Sequence, residues 1–322
     1  MSVQNYSIFR RVLVASDFSP SSANAIRQAI WLARRCGISV SFAHCIEHLR
    51  RAAHSLTFKA KIDLLSAEGD LFQREIRQES DQKLRQQIHQ AGADDLPVPI
   101  ETLLGEPVIE LTHAVQQEGY DLVMAGSHGL SGWKEFLVGS TARKLIRKCP
   151  SDVWIVRQDA PVPPRVILAA TDFSDVSRVA VIKGIQLAER TGAVLHLLHV
   201  IDSGDVPDDL LARIPDGMSL RQAINEEATK RLQEFTTHLP SGASRMHSHI
   251  SYGVPWKEIS LFVQKHSIDL VCLGTVGRSG IRGILLGNTA EKILETCPCS
   301  VLTTKPSSFV SPIEPATWAM HP

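Results

Sequence analysis

The sequence predicts an α/β protein built as two tandem Rossmann-like, doubly wound domains. Three observations carry that expectation. Apolar strand-like runs alternate with helix-periodic runs along the chain, the pattern of βαβ units and a parallel sheet. The whole series is written twice, which marks a domain duplication rather than a solenoid. Each copy also holds a glycine loop of the same internal spacing. Gly126-Ser127-His128-Gly129 returns at Gly139-Ser140-Thr141, and Gly274-Thr275-Val276-Gly277 returns at Gly287-Asn288-Thr289.

The elements follow in order. Arg11 to Ser19 reads as a buried strand ending in an acid, and Arg165 to Ser174 repeats it, each with an Asp-Phe-Ser turn, Asp17-Phe18-Ser19 and Asp172-Phe173-Ser174. Ser19 and Ser174 suit helix N-caps, and Pro20 suits the first helical position. Both first helices should stop at a glycine, Gly37 and Gly192. Second strands span 38–46 and 193–201, with His44 and His199 at matching places. Charged, helix-prone stretches follow at 66–91 and 220–235, then third strands at 97–104 and 245–252. Third helices begin near Pro107 and Pro255. Fourth strands, 121–125 and 269–273, run into the glycine loops. The last helices place Ala142, Leu145, Ile146 and Cys149 on one face, and Ala290, Ile293, Leu294 and Cys297 on the other copy's. Pro150 and Pro298 end them, and fifth strands lie at 152–157 and 300–304. The expected boundaries are 1–158 for the first domain, 159–164 for a proline-rich linker and 165–306 for the second domain. Residues 307–322 should form a frayed tail with Trp318 as an anchor.

Composition narrows the function. The chain has 322 residues, with 34 basic and 34 acidic side chains in balance. No bulk charge points to nucleic acid or a membrane surface as partner. A hydrophobic fraction of 43% supports packed cores. No apolar run approaches the ~20 residues of a membrane span. The N-terminus lacks the pattern of a signal peptide. Six cysteines in a chain of this length suit reduced thiols, not a disulfide scaffold. A cytoplasmic protein is expected.

Ligands of open α/β sheets bind beyond the carboxyl ends of the strands, where strand order reverses. There the Asp17 turn would face the Gly126 loop, and the Asp172 turn the Gly274 loop. A glycine loop that returns at a helix N-terminus offers backbone N–H groups to an anion. Neither a Walker P-loop nor a G-x-G-x-x-G after the first strand is present. Main-chain amides, with Ser140, Thr141, Asn288 and Thr289, would have to hold phosphates without an obligatory lysine. Asp17 and Asp172 would then bind base or ribose, or share a divalent cation. For one glycine pair, a plain turn and a plain cap are the ordinary readings; the duplicated constellation favours binding.

At these residues the chain resembles the universal stress protein (UspA-like) family, in its tandem two-domain, UspE-like form. The family pattern is Gly-x2-Gly-x9-Gly-(Ser/Thr). Gly126, Gly129, Gly139 and Ser140 match it; Gly274, Gly277 and Gly287 match, and Asn288 departs from it. The resemblance implies five-stranded sheets of order 3-2-1-4-5, each flanked by four helices, and, in the family's nucleotide-binding branch, an ATP pocket; Mg2+ is the divalent cation the aspartates could share with it. Carried over by position, that pocket comprises Asp17, Cys45, Ala125, Gly126, Gly129, Gly139, Ser140 and Thr141. Its counterpart comprises Asp172, Val200, Leu273, Gly274, Gly277, Gly287, Asn288 and Thr289. The resemblance also implies pairing of last strands, so that the chain forms an internal pseudo-dimer; association of two chains stays open.

Other candidates weigh less. His247 and His249 sit at i, i+2 on one strand face, which could begin a metal site but ordinarily is a solvated face. Cys297-Pro298-Cys299 and the paired His44 and His199 have structural readings too: a helix-pattern cysteine, and histidines satisfying local hydrogen bonds. Lys134 and Arg282 lie in the loops and read as solvated charges before phosphate contacts. No catalytic triad, paired-carboxylate site or metal centre is expected. The leading expectation is an ATP-binding stress-response protein with no catalytic residue. The alternatives are a slow ATPase or nucleotide-transferring enzyme, and a scaffold that binds another small molecule.

Overall fold

A computed structural model describes residues 8–47, 67–128, 138–202, 219–240, 246–277 and 286–316. The chain divides into two units, residues 1–162 with 307–322, and residues 163–306.

In the first unit the order is β1 (Arg11–Ser16), α1 (Pro20–Cys36), β2 (Ser39–Ile46), α2 (Ala67–Gln90), β3 (Ile100–Leu104), α3 (Pro107–Glu118), β4 (Leu122–Gly126), α4 (Ser140–Lys148) and β5 (Asp152–Val156). All strand pairs are parallel, in the order β3-β2-β1-β4-β5. The central strands are apolar without alternation because helices cover both faces. Val12, Leu13, Val14, Leu122, Val123 and Met124 are all buried, as are Ala25, Ile26 and Leu32 of α1.

The second unit repeats the plan: β6 (Val166–Thr171), α5 (Asp175–Thr191), β7 (Val194–Ile201), α6 (Leu220–Thr237), β8 (Met246–Tyr252), α7 (Pro255–His266), β9 (Leu270–Gly274), α8 (Asn288–Thr296) and β10 (Ser300–Thr304). Its strands lie in the order β8-β7-β6-β9-β10, also parallel. This is the 3-2-1-4-5 order expected from the resemblance, with four helices described in each unit.

The expected punctuation holds. Ser19 and Ser174 cap α1 and α5, accepting hydrogen bonds from the N–H groups of Ser22 and Ser177. Gly37 and Gly192 end those helices in the left-handed conformation, φ 65° and 73°, which glycine adopts at no steric cost. The starts of β3, β4 and β9 differ from expectation. β3 begins at Ile100 rather than at 97, because Pro97 and Pro99 have no N–H for the ladder. β4 and β9 begin one residue late, at Leu122 and Leu270, and the carboxylates of Asp121 and Asp269 before them bond the adjacent segment. Asp121 accepts from the N–H groups of Arg10 and Arg11, and Asp269 from those of Arg165 and Val166.

The segments expected as linker and tail are more ordered than the sequence suggests. Asn24 Nδ2 donates to the carbonyls of Arg157 and Ala160, and Gln28 Nε2 to that of Pro161. Ser311 Oγ donates to Lys148 O, Gln116 Nε2 to Ile313 O, and His113 Nε2 lies 3.1 Å from Glu314 O. Residues 307–316 are therefore tied to α3 and α4 rather than frayed. Trp318 lies outside the described residues.

Candidate functional site

The turn after the first strand is built the same way in both units. Phe18 and Phe173 hold positive φ values of 63° and 65°, a strained choice for a bulky residue. Hydrogen bonds fix it. Ser16 Oγ accepts from Phe18 N–H, and Thr171 Oγ1 from Phe173 N–H. Asp17 Oδ1 accepts from Ser19 N–H, and Asp172 Oδ1 from Ser174 N–H. The rings of Phe18 and Phe173 lie against His44 and His199, at centroid distances of 4.3 and 4.2 Å. The histidines in turn bond the carbonyls of Ser16 and Thr171 through Nδ1. Their local, structural reading is thus the observed one. Burial holds His44 below its ordinary pKa, against the opposing pull of the Ser16 hydrogen bond and of Asp17.

In the second unit this turn faces the glycine loop. A Cβ placed on Gly277 would lie 2.5 Å from Asp172 Oδ2, so the carboxylate sits directly over that glycine. Gly274 has a different neighbour: its Cβ would lie 2.9 Å from Val176 Cγ1 and 3.3 Å from Ser177 N, at the start of α5. Gly287 N–H donates to Thr275 O at 2.7 Å and stitches the loop's return to its departure.

Behind that stitch lies the N-terminus of α8. Its first helical backbone bond runs from Glu291 N–H to Gly287 O, 3.0 Å, and no side chain caps it. The amides of Asn288, Thr289 and Ala290 therefore have no helical acceptor. They border a cavity of about 590 Å³ at the carboxyl ends of β6, β7 and β9. All eight second-domain residues expected from the sequence line it: Asp172, Val200, Leu273, Gly274, Gly277, Gly287, Asn288 and Thr289. Asp202, Ser177, Thr171, Pro255 and Ile259 line it as well. Sequence reasoning missed Asp202, although its place just past β7 was a signal, given where such sheets bind ligands. Asp172 and Asp202 put two carboxylates in the cavity, and its described lining contains no lysine or arginine.

A model of the universal stress protein family matches residues 8–157 and again 164–305. The chain belongs to the universal stress protein family. Universal stress protein E of Escherichia coli (strain K12) is 24% identical over 319 residues, covering 95% of this chain and 97% of its own. A universal stress protein E homolog of Haemophilus influenzae is 30% identical over 211 residues, 61% of this chain and 66% of its own. Among solved structures, a universal stress protein from Archaeoglobus fulgidus DSM 4304 superposes with a TM-score of 0.60 at 22% identity, covering 93% of this chain and 98% of that one. A functionally unknown protein from Pseudomonas aeruginosa PAO1 gives 0.61 at 20% identity, with 92% and 93% covered. At these identities the structures speak for the fold.

The two universal stress protein domains of this chain differ at the loop. In the first, Ser19 Oγ and Ser21 Oγ both donate to His128 O, at 3.0 and 2.5 Å, and latch the loop's start to α1. Val176 replaces Ser21 in the second domain, and Ser174 Oγ donates to Asp172 Oδ1 instead, at 2.6 Å. Gly126 packs against the α1 start even more tightly than Gly274 does against α5, its Cβ falling 2.6 Å from Ser22 N. Gly139 N–H donates to Ser127 O at 2.7 Å, and Ser140 and Thr141 open α4, which also lacks a side-chain cap. Ala125, the next-to-last residue of β4, is the register partner of Ala15 on the strand that runs into the Asp17 turn. Cys45 sits near the end of β2, where burial, with Glu110 and Glu101 adding to it, pushes the thiol up to about 12, which favours its protonated form. Gly129, Lys134 and Arg282 lie outside the described residues.

Proposed function

We propose that this universal stress protein binds an adenine nucleotide, ATP with Mg2+, and acts in a stress response through the surface that occupancy orders. The observation that carries the reading is the second-domain cavity, bordered by three amides of α8 without helical acceptors and by a stitched glycine loop. Such a helix start attracts phosphate through its N–H groups and its dipole. The lining offers no described cation, so Asp172 and Asp202 suit a bridging magnesium or the ribose hydroxyls. The apolar lining, Leu198, Val200 and Ile259, suits an adenine ring. Asn288 departs from the family pattern, yet in this reading the grip comes from backbone amides, so the departure costs little.

The first-domain residues Asp17, Cys45, Ala125, Gly126, Gly129, Gly139, Ser140 and Thr141 form the equivalent site in this proposal. The latch from Ser19 and Ser21 to His128 O holds one wall of it. Two such domains in one chain would stand as an internal pseudo-dimer in the cytoplasm, with neither nucleic acid nor membrane as partner. Turnover is not part of the reading.

Thermal unfolding tests the proposal. A ligand at 100 times its dissociation constant stabilises the folded state by about 2.7 kcal/mol, and ATP with magnesium should raise the midpoint accordingly. An unmoved midpoint at saturating ATP rejects it. Mass spectrometry of small molecules released from purified protein by denaturation separates ATP from a different ligand of the same cleft.

A further inference from the structure

We propose that His196, His249 and His266, with His247 as a fourth donor, form a binding site for a first-row transition-metal dication such as Zn2+, apart from the nucleotide cleft. The sequence showed only His247 and His249 on one face. The fold adds His196 as the β7 register partner of His247, and His266 from the last turn of α7, which packs over β7 and β8.

The spacing is what a shared metal requires. With metal–nitrogen bonds of about 2.0–2.1 Å in tetrahedral geometry, two coordinated imidazoles hold their ring centroids roughly 5.2 Å apart. Here the centroids of His196 and His249 are 5.1 Å apart, of His196 and His266 5.0 Å, and of His249 and His266 5.8 Å. His196 and His247 are 5.5 Å apart. His196 Nδ1 already lies 2.9 Å from His249 Nε2, one ring donating its proton to the other. As the rings stand, no three donors among the described residues share one metal position. Turning the imidazoles about χ2 aims a nitrogen inward at little cost, since that torsion is soft. It leaves the centroids in place, because the Cβ–Cγ bond points through the ring centre.

The surroundings favour a metal over a bare histidine face. Phe262 stacks on His266 at 4.1 Å and meets His249 at 4.9 Å, giving the cluster an apolar floor. His196, His249 and His266 are half-buried and His247 is exposed, so an ion can reach them. Lys265 is the nearby charge that opposes a cation. A metal between the rings replaces the hydrogen bond of His196 and His249, and the donating ring's proton moves to its other nitrogen.

The test is a Zn2+ titration of the full chain against a chromophoric chelator, with X-ray absorption of the loaded protein. One Zn2+ per chain is expected, with three or four imidazole nitrogens in the absorption spectrum. His196→Gln and His249→Gln should each weaken binding by about tenfold or more, with far-UV circular dichroism unchanged. Fewer than three imidazoles on the metal would overturn the proposal without any variant. So would undiminished binding in the folded double variant, which would place the ion on unrelated surface histidines.

Discussion

Gly274 and Gly277 do different work, although the sequence presents them as one motif. The first is a glycine because the start of α5 crowds it; the second because Asp172 lies over it. A side chain at Gly126 or Gly274 should therefore damage the fold. Gly126→Val is expected to lower stability by about 1–3 kcal/mol, read by urea denaturation, whether or not nucleotide is present. Gly277→Ala should instead leave stability nearly intact while it displaces Asp172 and weakens ATP by about tenfold, about 1.4 kcal/mol, read by calorimetry. These local causes were invisible in the sequence, where spacing alone marks the glycines and nothing says what approaches each. His44 makes a prediction of its own. Its folded pKa is lowered by burial, so below its unfolded value of about 6.5 the unfolded state binds more protons. That part of the stability is fully present above that value and falls as pH drops below it. His44→Gln should flatten the slope between pH 7.5 and 5.5 relative to the parent chain, in denaturation series at the two values.

At the scale of elements, helix starts decide what the cleft can do. α1 and α5 are closed by the side chains of Ser19 and Ser174, whereas α4 and α8 begin at glycine without a side-chain cap. Ser174→Ala should cost about 1 kcal/mol of stability as a lost N-cap, measured by chemical denaturation. It also frees Asp172 Oδ1 from its 2.6 Å bond. Asn288→Ala should change ATP affinity by no more than roughly threefold, because in the proposed reading main-chain amides hold the anion; a large loss in calorimetry would give that side chain the role the proposal assigns to the backbone. Caps and stops were legible in the sequence because they depend on residues adjacent in the chain. The start of β3 differs from its apolar pattern because Pro97 and Pro99 lack the donors a strand ladder needs. The order of residues 307–316 was not legible, since it rests on bonds to α3 and α4 from far along the chain.

At the scale of the molecule, duplication made the fold readable. Each half supplied a second sample of the same periodicities, and the parallel order of five strands followed in both units. The cleft's outline was equally legible: eight expected residues converge on one cavity in the second unit. Its depth was not, because Asp202 and Ile259 join it from elements that carry no motif. The histidine cluster was half visible, since His196 meets His249 through the pairing of β7 with β8, and His266 joins them through the packing of α7 on the sheet. The family shown by both halves fits the reading that each domain keeps a phosphate-facing helix start.

Amide hydrogen exchange of the full chain, with and without saturating ATP and magnesium, tests the central claim most directly. The account predicts slower exchange at Asn288, Thr289 and Ala290, accompanied by protection around Asp172 and Gly277. Unchanged exchange at those three amides while ATP is demonstrably bound would contradict it, because the phosphates would then be held elsewhere.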